Sequence, residues 1–258
     1  MNIKPVDLAY EEIGQGTPVL LVHGFPVDHT IWLQVAEGLK DEARVIMPDL
    51  RGFGDSPDSN EVFTMRLLAE DLLALIDRLK LEKVVLVGHS MAGYAVLAFA
   101  HAYPNRLAGL GLVATQADAD TPERRQARLV TARETKRRGV RYIADGMPSK
   151  LTQNVDIQQQ LHENIMKCRT TSLVNALKGM ADRSDANPWL AAIAVPTVVI
   201  AGRNDQTIPL QRSVTLAQML SKGWLVEIPE AGHMPMLETP QEVVSALRQL
   251  ICHVAGCG

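Results

Sequence analysis

No stretch of the sequence approaches eighteen uninterrupted apolar residues, so it offers no candidate for an apolar membrane-spanning helix. Strong net charge is missing as well. With 26 Lys plus Arg against 29 Asp plus Glu, the formal charge is -3, and no global attraction for nucleic acid or an anionic membrane surface is expected. Cysteine is scarce: Cys168, Cys252 and Cys257 form an odd set without short paired spacings, which fits neither a disulfide framework nor a metal site. All three are expected to be inert. Residues 1–16 carry Lys4, Asp7, Glu11 and Glu12 where a signal peptide would have an apolar core, and a cytoplasmic location is expected. Internal repeats and low-complexity tracts are absent too.

What is present is a 258-residue chain, 47% hydrophobic and 21% charged, long enough to bury one sizeable core. Short β-branched runs bounded by Gly, Pro and Asp alternate with longer segments of helical period. The runs Val19 to Val22, Ala43 to Met47, Val84 to Val87, Leu107 to Val113, Val195 to Ala201 and Trp224 to Ile228 read as strands, with Val6 to Glu12 as an additional first strand. Between them Phe63 to Leu79, capped by Thr64, Met91 to Ala102, Leu210 to Leu220 and Pro240 to Val254 read as helices. Such alternation predicts an α/β fold, a mostly parallel sheet covered by helices on both faces.

From about Thr115 to Pro188 the alternation stops, leaving helical patterns and no convincing strand. We expect a core formed by residues 1–114 and 189–258, and an inserted helical cap over 115–188. Between Asp118 and Asp185 that insertion holds 13 Lys plus Arg against 9 Asp plus Glu. The simplest reading of Arg124, Arg125, Arg128, Lys136, Arg137 and Arg138 is a solvated helical face, and attraction of an anionic substrate is the alternative.

Chemistry enters at the end of the Val84 to Val87 strand, where Gly88-His89-Ser90-Met91-Ala92-Gly93 opens a helix. A serine on so tight a strand-to-helix turn projects its hydroxyl away from the sheet, and the strained backbone tolerates only small residues two positions before and after. Gly88 and Ala92 meet that demand, although Ala92 stands where Gly is usual.

Around this elbow the chain resembles the α/β-hydrolase fold family along nearly its whole length. His23-Gly24-Phe25-Pro26 follows the second strand, where the family places one oxyanion-hole amide; the resemblance implies the Phe25 N–H, with the Met91 N–H at the helix start as the second donor. Asp49-Leu50-Arg51-Gly52-Phe53-Gly54-Asp55-Ser56 resembles a recurrent family loop and is assigned structure, not chemistry; its Gly-x-Gly lacks the context of a dinucleotide fingerprint. Gly202 to Pro209 resembles the family's acid loop and makes Asp205 the acid, against a simple helix-capping role and with Asp118 and Asp120 as backups. Ala231-Gly232-His233-Met234-Pro235-Met236-Leu237-Glu238 makes His233 the base, completing the order Ser, Asp, His. His23, Gly24, His89, Met147 and Met234 are expected to shape the substrate pocket, whereas His29, His101, His162 and His253 read as surface residues.

Ser90 in the nucleophile position argues against haloalkane and epoxide chemistry, which proceeds through an enzyme carboxylate. The ending from Ala231 to Glu238 is most similar to small esterases and enol-lactone hydrolases. Hydrolysis of a small-molecule carboxylic ester or lactone through an acyl-enzyme is therefore expected, with no metal and no organic cofactor. Carbon-carbon bond hydrolysis, perhydrolysis and aminopeptidase action remain open on the same residues, as does a signalling or binding protein that keeps them. Substrate identity and oligomeric state are not set by these patterns.

Overall fold

A computed structural model describes residues 4–256, which leaves Cys257 outside the described residues. Among these, the apolar runs form one seven-stranded sheet: β1 Tyr10–Ile13, β2 Thr17–Val22, β3 Ala43–Pro48, β4 Val84–His89, β5 Leu107–Val113, β6 Thr197–Gly202 and β7 Gly223–Ile228. The order is β1-β3-β2-β4-β5-β6-β7. Only the β1–β3 pair is antiparallel; the remaining pairs are parallel. Two boundaries differ from expectation for local reasons. The Val6 N–H is donated to Asp71 Oδ1 at 2.9 Å, so the first strand begins later, at Tyr10. Pro196 has no N–H for a ladder, and β6 starts after it, at Thr197.

The helices are α1 Leu33–Leu39, α2 Met65–Arg78 and α3 Met91–Ala102, then α4 Pro122–Arg138, α5 Arg141–Ala144, α6 Pro148–Leu151, α7 Val155–Met166 and α8 Thr170–Ala181, and finally α9 Leu210–Met219, α10 Pro235–Glu238 and α11 Pro240–Ala255. No strand interrupts α4 to α8. Thr64 caps α2 by accepting the Leu67 N–H at 3.1 Å, and Leu68, Leu72, Leu75 and Ile76 form its buried stripe.

Strand periodicity sorts the core into two layers. Leu20, Val22, Leu86, Leu110 and Leu112 pack on one face with α2, α3 and the buried side of α9. Val19, Leu21, Val85, Val87, Val198 and Ile200 pack on the other with α1 and α11. Every β4 residue is buried, as expected of a central parallel strand covered on both sides.

The loop after β3 is fixed by charge. Arg51 and Asp71, both 0% exposed, form a two-pronged ion pair, Nε–Oδ2 2.5 Å and Nη2–Oδ1 2.6 Å, so the structural role expected of Arg51 holds. Breaking a buried pair by removing one partner strands the other charge, which costs about 3–5 kcal/mol. Arg51→Leu is thus expected to lower stability by that amount in urea titration; a loss under about 1 kcal/mol would contradict this account. Asp49 serves the same loop, accepting from the backbone N–H groups of His29 at 2.9 Å and Asp55 at 3.0 Å.

His29 departs from the surface position expected of it. Its Nδ1 lies 2.8 Å from Asp49 Oδ1, with the side chain only 12% exposed. The hydrogen bond to Asp49 raises the imidazole to about 9 against the opposing effect of burial, so His29 is a cationic partner of a buried carboxylate.

Candidate active site

The loops that carry the expected reactive residues leave the carboxyl ends of β2, β4, β6 and β7, the edge at which open α/β sheets build their sites. At the end of β4, Ser90 has φ 51° and ψ -112°, a conformation disfavoured for a side-chain-bearing residue. It is held by the Ser90 N–H donating to Val113 O at 2.9 Å and by Ser90 O accepting from the Gly93 N–H at 2.9 Å and the Thr115 hydroxyl at 2.8 Å. The steric demand on the flanks is visible. A Cβ at Gly88 would lie 2.6 Å from Ala92 O, and one at Gly24 would lie 2.7 Å from His89 Nδ1 and 3.1 Å from Ser90 Cβ. Ala92 is itself fully buried without displacing the turn.

Ser90, His233 and Asp205 meet in a continuous chain. Asp205 Oδ1 accepts the N–H groups of Thr207 at 2.7 Å and Ile208 at 2.9 Å, turning Oδ2 toward His233 Nδ1 at 2.7 Å. A carboxylate only accepts, so Nδ1 carries the proton and Nε2 is the acceptor. The Ser90 hydroxyl, 2.9 Å from Nε2, is its donor. His233 is 1% exposed and Asp205 9%, so water competes little for these bonds. Asp205 thus caps the following turn and also meets the imidazole. The backup carboxylates lie elsewhere, Asp118 on Arg212 at 3.0 Å and Asp120 on Arg128 and Arg183. Met91 is the first residue of α3, where a backbone N–H has no partner within the helix.

These residues open on a cavity of about 590 Å³ lined by Ser90, His233 and Phe25. Helices of the segment between β5 and β6 supply much of the rest, including Arg128, Ile143, Met147, Leu151 and Met180. Of the expected pocket residues Met147 lines this cavity, whereas His23, Gly24, His89 and Met234 are buried and are not among the residues that line it. His23 staples two loops: its Nε2 accepts the Leu50 N–H at 2.9 Å and its Nδ1–H donates to Gly24 O at 2.8 Å. His89 Nε2–H donates to His233 O at 2.9 Å. Burial, reinforced by the nearby His233, holds His89 well below the usual imidazole range, so it adds no charge beside the His233 imidazole.

Several contributors were missed from the residues alone. Tyr94, Thr207 and Met180 line the cavity. Glu238 joins two loops by accepting the Gly232 N–H at 2.7 Å and the Thr152 hydroxyl at 2.5 Å. The α6 end is bound to the same region, since the His233 N–H donates to Leu151 O at 3.2 Å and the Thr207 hydroxyl to Lys150 O at 3.3 Å. Glu238 lies within the quoted histidine segment, so its position at least was legible. Among the described residues no helix is long and apolar enough to cross a membrane. Cys168 is a packing thiol that burial pushes up to about 12.

The parallel sheet, the strained serine turn and the Ser–His–Asp chain define an α/β hydrolase. The model of the alpha/beta hydrolase family matches residues 19–246, and the chain belongs to that family. A thermophilic esterase from Thermogutta terrifontis, solved with malate bound, superposes with a TM-score of 0.93 at 39% sequence identity, covering 96% of this chain and 94% of that one. The dihydrolipoyllysine-residue acetyltransferase component of the acetoin cleaving system of Pseudomonas putida is 32% identical over 238 residues; these are 88% of this chain but only 61% of that protein. The 3-oxoadipate enol-lactonase 1 of Acinetobacter baylyi is 25% identical over 237 residues, 88% of this chain and 85% of that protein.

Proposed function

We propose that the chain hydrolyses a small carboxylic ester or lactone through an acyl-enzyme on Ser90. The observation that carries this reading is the hydrogen-bonded chain Ser90 Oγ–His233 Nε2–His233 Nδ1–Asp205 Oδ2 opening on a cavity of substrate size. A serine hydroxyl is a poor nucleophile at neutral pH. His233 Nε2, already the acceptor of that proton, takes it as Oγ attacks and returns it to the leaving alcohol. Asp205 holds the tautomer and stabilises the imidazolium. The N–H groups of Phe25 and Met91 receive the oxyanion, at roughly 3–4 kcal/mol per donor. Water then attacks the acyl carbonyl by the same base. Likeness to an esterase at 39% identity over nearly the whole chain supports the ester reading.

In this reading residues 115–188 are a cap that roofs the site and sets acyl selectivity, while 1–114 and 189–258 supply the reactive groups. Titration with a fluorophosphonate tests the nucleophile. One adduct per chain is expected, located on Ser90 by peptide mass spectrometry, with p-nitrophenyl butyrate hydrolysis lost in proportion. Hydrolysis that survives complete labelling of Ser90 would overturn the proposal.

A further inference from the structure

The cavity wall is electrically one-sided. Arg124, Arg128 and Lys150 line it, and no Asp or Glu side chain does. Arg124 and Arg128 stand one turn apart on α4. They share a face turned inward, whereas Arg125 is half exposed and paired with Asp182 at 2.7 Å.

The counter-charge behind this wall is too small. Asp120 has a fully buried side chain, lying 2.6 Å from Arg128 Nε, 2.7 Å from Arg183 Nη1 and 3.5 Å from Arg124 Nε. One carboxylate among three guanidiniums leaves two positive charges uncompensated. Arg183 is 2% exposed and is consumed by this buried pair and by the carbonyls of Asp118 and Met180. The surplus therefore sits on Arg124 and Arg128 at the cavity. Lys150 adds a third charge, its backbone fixed beside the acid loop by the bond from Thr207. The acids around α4 are committed, Asp118 to Arg212, Asp182 to Arg125 and Asp205 to His233, whereas Lys150 is exposed and also lines a second cavity with Glu230 and Glu238. A structural ion-pair cluster needs only the two close contacts to Asp120; Arg124 Nη2 also donates to Thr207 O at 3.4 Å, a neutral acceptor that places the guanidinium beside the acid loop without compensating its charge.

We propose that the substrate is an ester or lactone carrying a free carboxylate, which Arg124, Arg128 and Lys150 bind while the scissile carbonyl lies at Ser90. This rests on the hydrolase reading above. Side chains only 16% exposed at Arg128 and 35% at Arg124 feel less screening than surface charges. A guanidinium fork matches a carboxylate by paired N–H donors. Met147, Leu151, Leu177 and Met180 suit the methylenes between the two ends.

The test uses the monomethyl esters of succinate, glutarate and adipate, each against the counterpart in which a carboxamide replaces the free carboxylate. Shape is kept and only charge changes. At low ionic strength the carboxylate member of the best pair is expected to have at least tenfold higher kcat/KM, and the ratio should fall, though not to one, as NaCl is raised toward 1 M, where screening acts over about 3 Å. Arg124→Gln with Lys150→Gln should collapse the ratio, and Arg124→Lys should restore part of it. A wild-type ratio below about two, or one indifferent to the double substitution, overturns the proposal. The Ser90→Ala protein titrated calorimetrically with glutarate separates the two readings. Glutarate binding to this variant that weakens with salt, beside a wild-type chain that hydrolyses none of the esters, refutes the hydrolase and retains the anion site. Hydrolysis of the carboxamide esters without glutarate binding refutes the anion site and retains the hydrolase.

Discussion

Ser90→Ala is expected to lower kcat for ester hydrolysis by about 10⁵- to 10⁶-fold, the scale on which a triad nucleophile acts as a unit with its base. The residual rate would come from the oxyanion donors and from substrate positioning, which the substitution leaves in place. Stability should hardly change. Ser90 Oγ makes one bond, to His233 Nε2, and losing a single hydrogen bond costs about 1 kcal/mol, a shift of roughly 2–4 °C in Tm for a chain of this size. The strained turn itself is fixed by main-chain atoms and by Thr115, and these do not depend on the hydroxyl. Turnover within about tenfold of the parent, with the fold retained, would remove Ser90 from the mechanism.

Asp205→Asn is expected to cost about 10⁴-fold in kcat, and the geometry supplies the reason. Oδ1 is held by the N–H groups of Thr207 and Ile208, so the amide oxygen must occupy that place and the NH₂ must face His233 Nδ1. Nδ1 then becomes an acceptor and the ring proton moves to Nε2, which can no longer take the Ser90 proton. The substitution changes one proton and almost no shape. Asp118→Asn, altering a carboxylate that meets Arg212 and not the imidazole, should stay within tenfold. A mild Asp205→Asn alongside a damaging Asp118→Asn, both measured by steady-state turnover, would reverse the assignment.

The residues proposed to react were legible because each answers a local constraint that sequence records. Gly88 must be small where its Cβ would strike Ala92 O, and Ser90, Asp205 and His233 each follow a recognisable strand. The cavity wall was not legible, because it depends on which way side chains turn after the loops close. His23 and His89 adjoin the site in sequence, which predicts cavity walls, yet their ring nitrogens bond to main chain and neither lines the cavity. His29 looks like a surface residue in sequence because its partner, Asp49, lies twenty residues away. The inward face of α4 was hidden for another reason. From Glu123 to Arg138 the helix is rich in charge on all sides, so no apolar stripe distinguishes the face that meets the cavity from the one that meets water.

The bonds from the His233 N–H to Leu151 O, from the Thr207 hydroxyl to Lys150 O and from Glu238 to both Gly232 and Thr152 make α6 a latch. Lifting this end by more than about 1 Å stretches each bond beyond useful length. His233 and the loop carrying Asp205 then lose a support together. α6, although it belongs to the segment between β5 and β6, is therefore seated on the same two loops that carry His233 and Asp205, and a substitution that unseats it is expected to be felt at both.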